Sequence, residues 1–294
     1  MPTLLANGYE VHAVSSKAAP EDRSGARWHE VDLLEPGRAA ELVDKVRPTH
    51  LLHLAWYAVP RKYWTSPENL RWVQASLNLL QVFASRGGRR IVAAGSCAEY
   101  DWRYGYCSEQ VTPLLPATLY GACKHSLQIM LESFARQTGL SAAWGRIFFL
   151  YGPGEYQTRL VASVIGSVLK SEPAPCSHGR QVRDFLYVQD VADAFVALLE
   201  SDVSGPVNIA SGRPVALKDI IYEIAEKAGR QDLIRLGALP APENEPGLLV
   251  ADTSRLSNEV GWSPGYNLNQ GLEETISWWK KQLCKNGRKE ESGG

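Results

Sequence analysis

No charge of one sign dominates this chain. Its 31 lysines and arginines stand against 32 aspartates and glutamates, for a formal net charge of −1. Without a basic stripe there is no electrostatic footprint for nucleic acid, and a neutral or anionic small molecule is the better partner. Cysteine is sparse. The five present (Cys97, Cys107, Cys123, Cys176 and Cys284) are scattered, odd in number and never form a Cys-x-x-Cys pair. That argues against a disulfide framework and against zinc, so no metal site is expected. Cys97 and Cys123 read as small buried fillers. Long apolar runs are missing too, the longest being strand-sized, which excludes a helical membrane span. No basic stretch followed by an apolar core opens the chain, and the expectation is a cytoplasmic protein. What remains is ordinary globular material, 45% apolar and 21% charged over 294 residues. That suffices for one large domain or two interleaved ones, and no internal repeat is present.

The apolar pattern alternates between strand-sized and helix-sized segments. Leu4 and Leu5 before Asn7-Gly8 read as the tail of a helix. Residues 10–14 and 50–55 read as buried strands. Ser66-Pro67-Glu68 is a helix start, with serine as N-cap and proline in the first turn. That helix runs to Gly87-Gly88. A strand at 90–94, a helix to about Gln137 and a strand at 141–150 follow. Short apolar runs in a strand–helix–strand succession argue for a parallel sheet covered on both faces. Beyond Tyr151-Gly152-Pro153-Gly154 the chain is richer in loops, with helices expected at 160–169, 188–199, 217–228 and 269–283, and a strand at 206–210. The polar, glycine-ended stretch 285–294 reads as a disordered tail.

The chemistry centres on Tyr120-Gly-Ala-Cys-Lys124. Four residues apart on a helix, the phenol and the ammonium share one face. A nearby cation favours the phenolate and draws its pKa down, which suits proton exchange with an alcohol. Upstream, Ala93-Ala94-Gly95-Ser96 ends a buried strand with a hydroxyl able to bond a carbonyl oxygen. Ser96, Tyr120 and Lys124 in that order resemble the active site of the short-chain dehydrogenase/reductase superfamily. With the remaining motifs, nearly the whole chain resembles an extended member of the nucleotide-sugar epimerase/dehydratase family.

The resemblance implies an α/β fold: a Rossmann-like doubly wound parallel sheet, lacking its first strand in this chain, with a smaller C-terminal substrate-binding domain. Residues 1–150 would bind the dinucleotide and 151–284 mainly the substrate, with 185–212 returning to the Rossmann side. It implies that Tyr120 is the general acid/base on the sugar, that Ser96 bonds the same oxygen, and that Lys124 holds the nicotinamide ribose. His53-Leu54-Ala55-Trp56 resembles a strand end running along the cofactor, and Asp32-Leu33 a pair that touches adenine. Arg146-Ile147-Phe148 opens a stretch lining the nicotinamide and substrate pocket, with Phe148 at the cofactor. Arg183 of Arg183-Asp184-Phe185 would grip the sugar diphosphate, a task suited to a guanidinium fork, and Glu245 would lie near the nucleotide ribose. The arginine expected shortly before Glu245 is absent, Pro242 lying near that place. Relatives dimerise through two helices per subunit, here 67–86 and 119–138, so a homodimer is expected. Trp56, Tyr63, Trp64 and Trp102 are candidates to shape the sugar pocket or pack in the core.

Three departures refine this expectation. The strand and Gly-x-x-Gly-x-x-Gly turn that the family places before the first helix are missing ahead of Pro2. Their loss leaves a gap of about 9–10 Å between strands, and a start upstream of Met1 or a truncated product is the expectation. Dehydratases follow the catalytic hydroxyl with an Asp-Glu pair, where this chain has Cys97-Ala98. Glu99 comes one place late, on the opposite face if the strand continues, so neither dehydration nor decarboxylation is expected. After Val14 come Ser15-Ser16-Lys17, with no acid to bond a ribose 2′-hydroxyl. That permits NADP beside NAD, with a slight preference for NADP. The expected activity is an NAD(P)-dependent oxidoreductase reducing a 4-keto-6-deoxyhexose at C4 on a nucleotide-diphosphate sugar. The alternatives are a 4-epimerase with bound NAD and a non-catalytic relative acting as a binding protein.

Overall fold

The computed structural model describes residues 1–18, 25–241 and 245–291. Among the described residues thirteen strands run in chain order: β1 His12–Ser15, β2 Arg27–Glu30, β3 His50–His53, β4 Arg90–Ser96, β5 Tyr106–Cys107, β6 Ser141–Ile147, β7 Phe149–Tyr151, β8 Ala174–Pro175, β9 Val182–Tyr187, β10 Gly205–Ile209, β11 Pro214–Ala216, β12 Ile234–Arg235 and β13 Leu248–Ala251. The helices are α1 Pro2–Ala6, α2 Arg38–Val46, α3 Glu68–Ser85, α4 Leu119–Thr138, α5 Leu160–Leu169, α6 Val188–Glu200, α7 Leu217–Ala228, α8 Ser254–Asn258 and α9 Leu268–Glu291.

The Rossmann-like parallel architecture is there. β3, β4, β6 and β10 form a parallel sheet in the order β10-β6-β4-β3, and β1 pairs with β2 in a second one. Residues β4 contributes alternate between two cores, as successive side chains of a strand must. Ile91 and Ala93 pack with Leu80 and Phe83 of α3 and Leu127 and Leu131 of α4. Val92 and Ala94 face the other way, toward Phe195 and Leu198 of α6. Burial on both sides is why the strand reads as an unbroken apolar run. Among the described residues β1 and β3 are not paired with each other, as expected of a sheet without its first strand. One small cluster still spans both sheets: Leu33 after β2, Ala39 and Val43 of α2, Leu79 of α3 and Leu51 of β3.

The strand expected at 141–150 is two strands. β6 stays in the main sheet to Ile147, while β7 leaves it to pair with β9. β9 in turn joins β11 and β13, and β13 joins β5, in the order β11-β9-β13-β5. Beneath this sheet α5, α7 and α9 share a core of Val161, Ile165, Ile220, Ile224, Leu272 and Ile276. The chain crosses back twice, first with α6 on β4 and β6 and β10 beside β6, then with α8 on β10, where Leu256 joins the same core. A correction concerns the tail: α9 continues to Glu291 rather than ending near Lys285. Its lysines, arginine and glutamates are good helix formers and prolong a helix already anchored by Leu272, Ile276 and Trp279. Residues 292–294 lie outside the described residues. Among the described residues, no helix is long and apolar enough to cross a membrane.

Candidate active site

Ser96 closes β4 and begins a tight turn. It is the N-cap of a 3-10 turn over Cys97–Glu99, its Oγ accepting the Ala98 N–H at 3.2 Å. Glu99 returns the favour, its Oε1 accepting the Ser96 N–H at 2.7 Å, which makes a capping box. The sequence reading of Glu99 as a strand residue on the opposite face is therefore corrected. Its carboxylate is fully buried, takes Arg146 Nε at 2.7 Å and Trp144 Nε1 at 2.9 Å, and is shut off from the cleft. Arg146 is equally buried and reaches the Tyr100 hydroxyl at 3.1 Å, which donates to Asn208 Oδ1 at 2.8 Å. Arg146, which opens the stretch expected to line the pocket, itself faces the interior. The signal was in the sequence: Ser-x-x-Glu is a capping-box spacing.

Tyr120 stands in the first turn of α4, whose N-cap Thr118 accepts the Gly121 N–H at 3.1 Å. Gly121 lets the helix rest on the Ser96 turn, since a Cβ there would lie 2.2 Å from the Ala98 carbonyl oxygen. The Tyr120 ring is walled edge-on by Tyr63 at 4.8 Å and Trp64 at 5.7 Å between centroids, and Trp64 meets Trp102 at 5.9 Å. These aromatics thus gather around the phenol. Burial raises the Tyr120 pKa, and the hydrogen bond from the Ser96 hydroxyl draws it partly back. Lys124, one turn on, is buried and donates to the Ala94 carbonyl at 2.8 Å. Its ammonium lies 3.7 Å from the centre of the Trp56 ring, a cation–π contact. Burial pulls its pKa down to about 7, against the pull of Glu99 in the other direction. Lys124 is not among the groups acting on the phenol, whose pKa is governed first by burial.

The other expected residues distribute themselves more widely. His53 is buried, bonded to Ser76 Oγ at 2.8 Å and driven by burial down to about 3, hence neutral. Leu54 follows it half exposed, with Ala55 and Trp56 partly exposed, and Trp56 Nε1 is tied to Asn69 Oδ1 at 2.8 Å. Ser15 caps the Lys17 N–H and Ser16 is exposed at the end of β1. Asp32 accepts the Leu34 N–H at 2.9 Å, and Leu33 turns into the small core. Phe148, expected at the cofactor, packs among Cys97, Tyr100 and Leu249. Arg183 and Glu245 come together as a pair at 2.9 Å, with Gln181 on the other carboxylate oxygen at 2.8 Å. Each therefore already holds a partner. Pro242 lies outside the described residues.

A nicotinamide dinucleotide fits the residues present. Ser15, Ser16, Leu54, Ala55 and Ser96 all lie at or just past the C-terminal ends of parallel strands, where such sheets bind ligands. The Lys124 ammonium commits one of its three N–H donors to Ala94 and keeps capacity for hydroxyl acceptors.

Comparison with known proteins agrees with this geometry. Residues 1–210 match the model of the NAD dependent epimerase/dehydratase family. The chain is 27% identical over 292 residues to UDP-glucuronic acid decarboxylase 1 of Xenopus tropicalis, covering 95% of this chain and 68% of that one. It is 26% identical over 274 residues to GDP-6-deoxy-D-mannose reductase of Pseudomonas aeruginosa, covering 87% and 88%. Among solved structures, MoeE5 in complex with UDP-glucose and NAD superposes with a TM-score of 0.85 at 27% identity, covering 96% and 94%. More than two thirds of the chain, including β4, α4 and the Ser96–Tyr120–Lys124 constellation they carry, thus falls within one family's pattern, and the protein is a member of the NAD dependent epimerase/dehydratase family.

Proposed function

We propose that this protein is an NAD(P)-dependent reductase of a nucleotide-diphosphate 4-keto-6-deoxyhexose, with Tyr120 delivering the proton to the C4 oxygen. The observation that carries the reading is that the Ser96 hydroxyl and the Tyr120 phenol meet where β4 ends, one helix turn from the Lys124 ammonium. Reduction of a ketone asks for a proton donor placed in this way. Ser96 donates to the same oxygen, and its own lone pair is already engaged by the Ala98 N–H. Lys124 and the end of β3 hold the dinucleotide, which when bound supplies the hydride. Glu99, locked against Arg146, is unavailable for elimination, which argues against dehydration. The likeness to a GDP-6-deoxy-D-mannose reductase points the same way.

The absence of an acid after Val14 favours NADPH, and Ser16 is free at that position. Arg183 serves the diphosphate and Glu245 the nucleotide ribose once their mutual pair opens. Residues 1–150 hold the dinucleotide side and 151–284 mainly the substrate side. A homodimer through α3 and α4 is part of the reading, with Ile129 and Met130 exposed on α4. Five free thiols suit a reducing compartment.

The test is consumption of NADPH with a nucleotide-diphosphate 4-keto-6-deoxyhexose by the natural-length protein. Tyr120→Phe should lower kcat by about 10²–10⁴ while leaving the fold intact. Unchanged turnover in that variant removes the assignment. Interconversion of two sugars without added cofactor replaces it with a 4-epimerase using the same three residues.

A further inference from the structure

We propose that Glu99, together with Arg146, is a positioning residue that fixes the Ser96 hydroxyl against the Tyr120 phenol. The inference rests on the functional reading above and extends it to a pair that touches neither substrate nor cofactor. The Ser96 Oγ is held by the Ala98 N–H, and that bond exists only while the 3-10 turn stays closed. The turn is closed by Glu99 Oε1 on the Ser96 N–H at 2.7 Å. The carboxylate is in turn fixed from β6, by Arg146 Nε at 2.7 Å and Trp144 Nε1 at 2.9 Å. Glu99 and Arg146 side chains are both 0% exposed.

A buried ion pair is weak evidence for stability, because desolvation offsets most of its attraction. Here the pair has a different use, which is to hold an acceptor oxygen at a fixed place under the strand end. Gly95 confirms how tightly that space is reserved, since a Cβ there would lie 2.6 Å from Glu99 Oε1. Beyond Arg146 the chain of bonds runs through Tyr100 to Asn208, which donates to the Cys107 and Asp252 carbonyls at 3.0 Å each. Three segments distant in sequence thus meet at the Tyr100 hydroxyl. The negative charge also works against ionisation of the phenol: Glu99 adds to the forces raising the Tyr120 pKa.

Two double variants separate positioning from bulk stability. Glu99→Leu/Arg146→Met replaces the pair by apolar residues of similar size, a change usually tolerated in folding, and leaves the Ser96 N–H without an acceptor. Glu99→Gln/Arg146→Met keeps an amide oxygen for that N–H. We expect the leucine variant to lose about 10- to 100-fold in kcat with KM nearly unchanged, because a small misplacement costs that much. The glutamine variant should recover most of it. Wild-type kcat in the leucine variant, or equal losses in both, overturns the proposal. Should the leucine variant fail to fold, Arg146→Lys takes its place: it keeps the cation but not the planar fork, and an unchanged kcat overturns the proposal in the same way. Hydrogen exchange over residues 94–100 needs no turnover and so separates this inference from the functional reading. If the wild type shows no Tyr120-dependent activity, faster exchange in the leucine variant than in the glutamine variant still supports positioning, and equal exchange refutes it.

Discussion

Lys124 makes this protein's stability depend on pH in a direction that can be worked out in advance. The ammonium is 4% exposed, with the Ala94 carbonyl and the Trp56 face as its compensation. Burial carries its pKa from the ordinary 10.5 down to about 7. In the unfolded chain the same lysine keeps its proton up to about 10.4. Between those values the unfolded state binds more protons, so stability rises with pH through this window and the penalty is complete below pH 7. From pH 7 to pH 9.5 the recovery amounts to about 3 kcal/mol, at about 1.4 kcal/mol per pH interval of one. Against a typical total of about 5–15 kcal/mol, that is easily measured. Lys124→Met keeps the stem and removes the charge. Compared by urea unfolding at pH 6, 8 and 9.5, the difference between wild type and variant should swing by about 3 kcal/mol, the variant being relatively best at pH 6. Subtracting the variant removes the titrations both proteins share. A difference independent of pH, or one that favours wild type at pH 6, would refute the reasoning that this ammonium is charged at a cost.

Two further substitutions test neighbouring points. Gly95→Ala places a methyl 2.0 Å from Trp144 Nε1 and should destabilise by about 1–3 kcal/mol or more. Gly166→Ala in α5, where nothing lies within 4 Å, should instead stabilise by about 0.5–1 kcal/mol; thermal unfolding of the pair reads both. Ser16→Asp introduces the missing acid after β1 and should shift the kcat/KM preference from NADPH toward NADH, with no shift counting against a cofactor contact at that position.

Much of the fold could be read from the chain because its strands are buried on two faces. Residues 160–169 and 217–228 were legible as helices for a related reason, their apolar spacing facing a single core. β9 escaped notice because it carries Arg183 and Asp184 within a buried sheet, which spoils the apolar signal. Asp184 is tolerated there because it accepts from Ser211, Gly212 and Ala251. At the site, the spacing of Tyr120 and Lys124 placed both residues correctly on one helix, but said nothing about solvent. Their pKa values follow from burial, and burial is a tertiary property. Glu99 illustrates the opposite failing: its capping pattern lay in view, but the strand reading of its neighbours concealed it. Trp56 over Lys124 joins β3's end to α4 across almost seventy residues, and no local pattern announces such a contact.

The glycine at the start of α4 has a mechanical consequence. With no side chain between helix and turn, phenol and hydroxyl belong to one inflexible unit, and neither can drift without carrying the other. Trp64 and Trp102 are tied to the same unit, the Trp64 carbonyl accepting the Tyr120 N–H at 3.1 Å and the Trp102 indole donating to the Cys97 carbonyl at 2.8 Å. Latitude for sugars of different shape must then come from residues beyond them, while the proton-handling unit stays as it is.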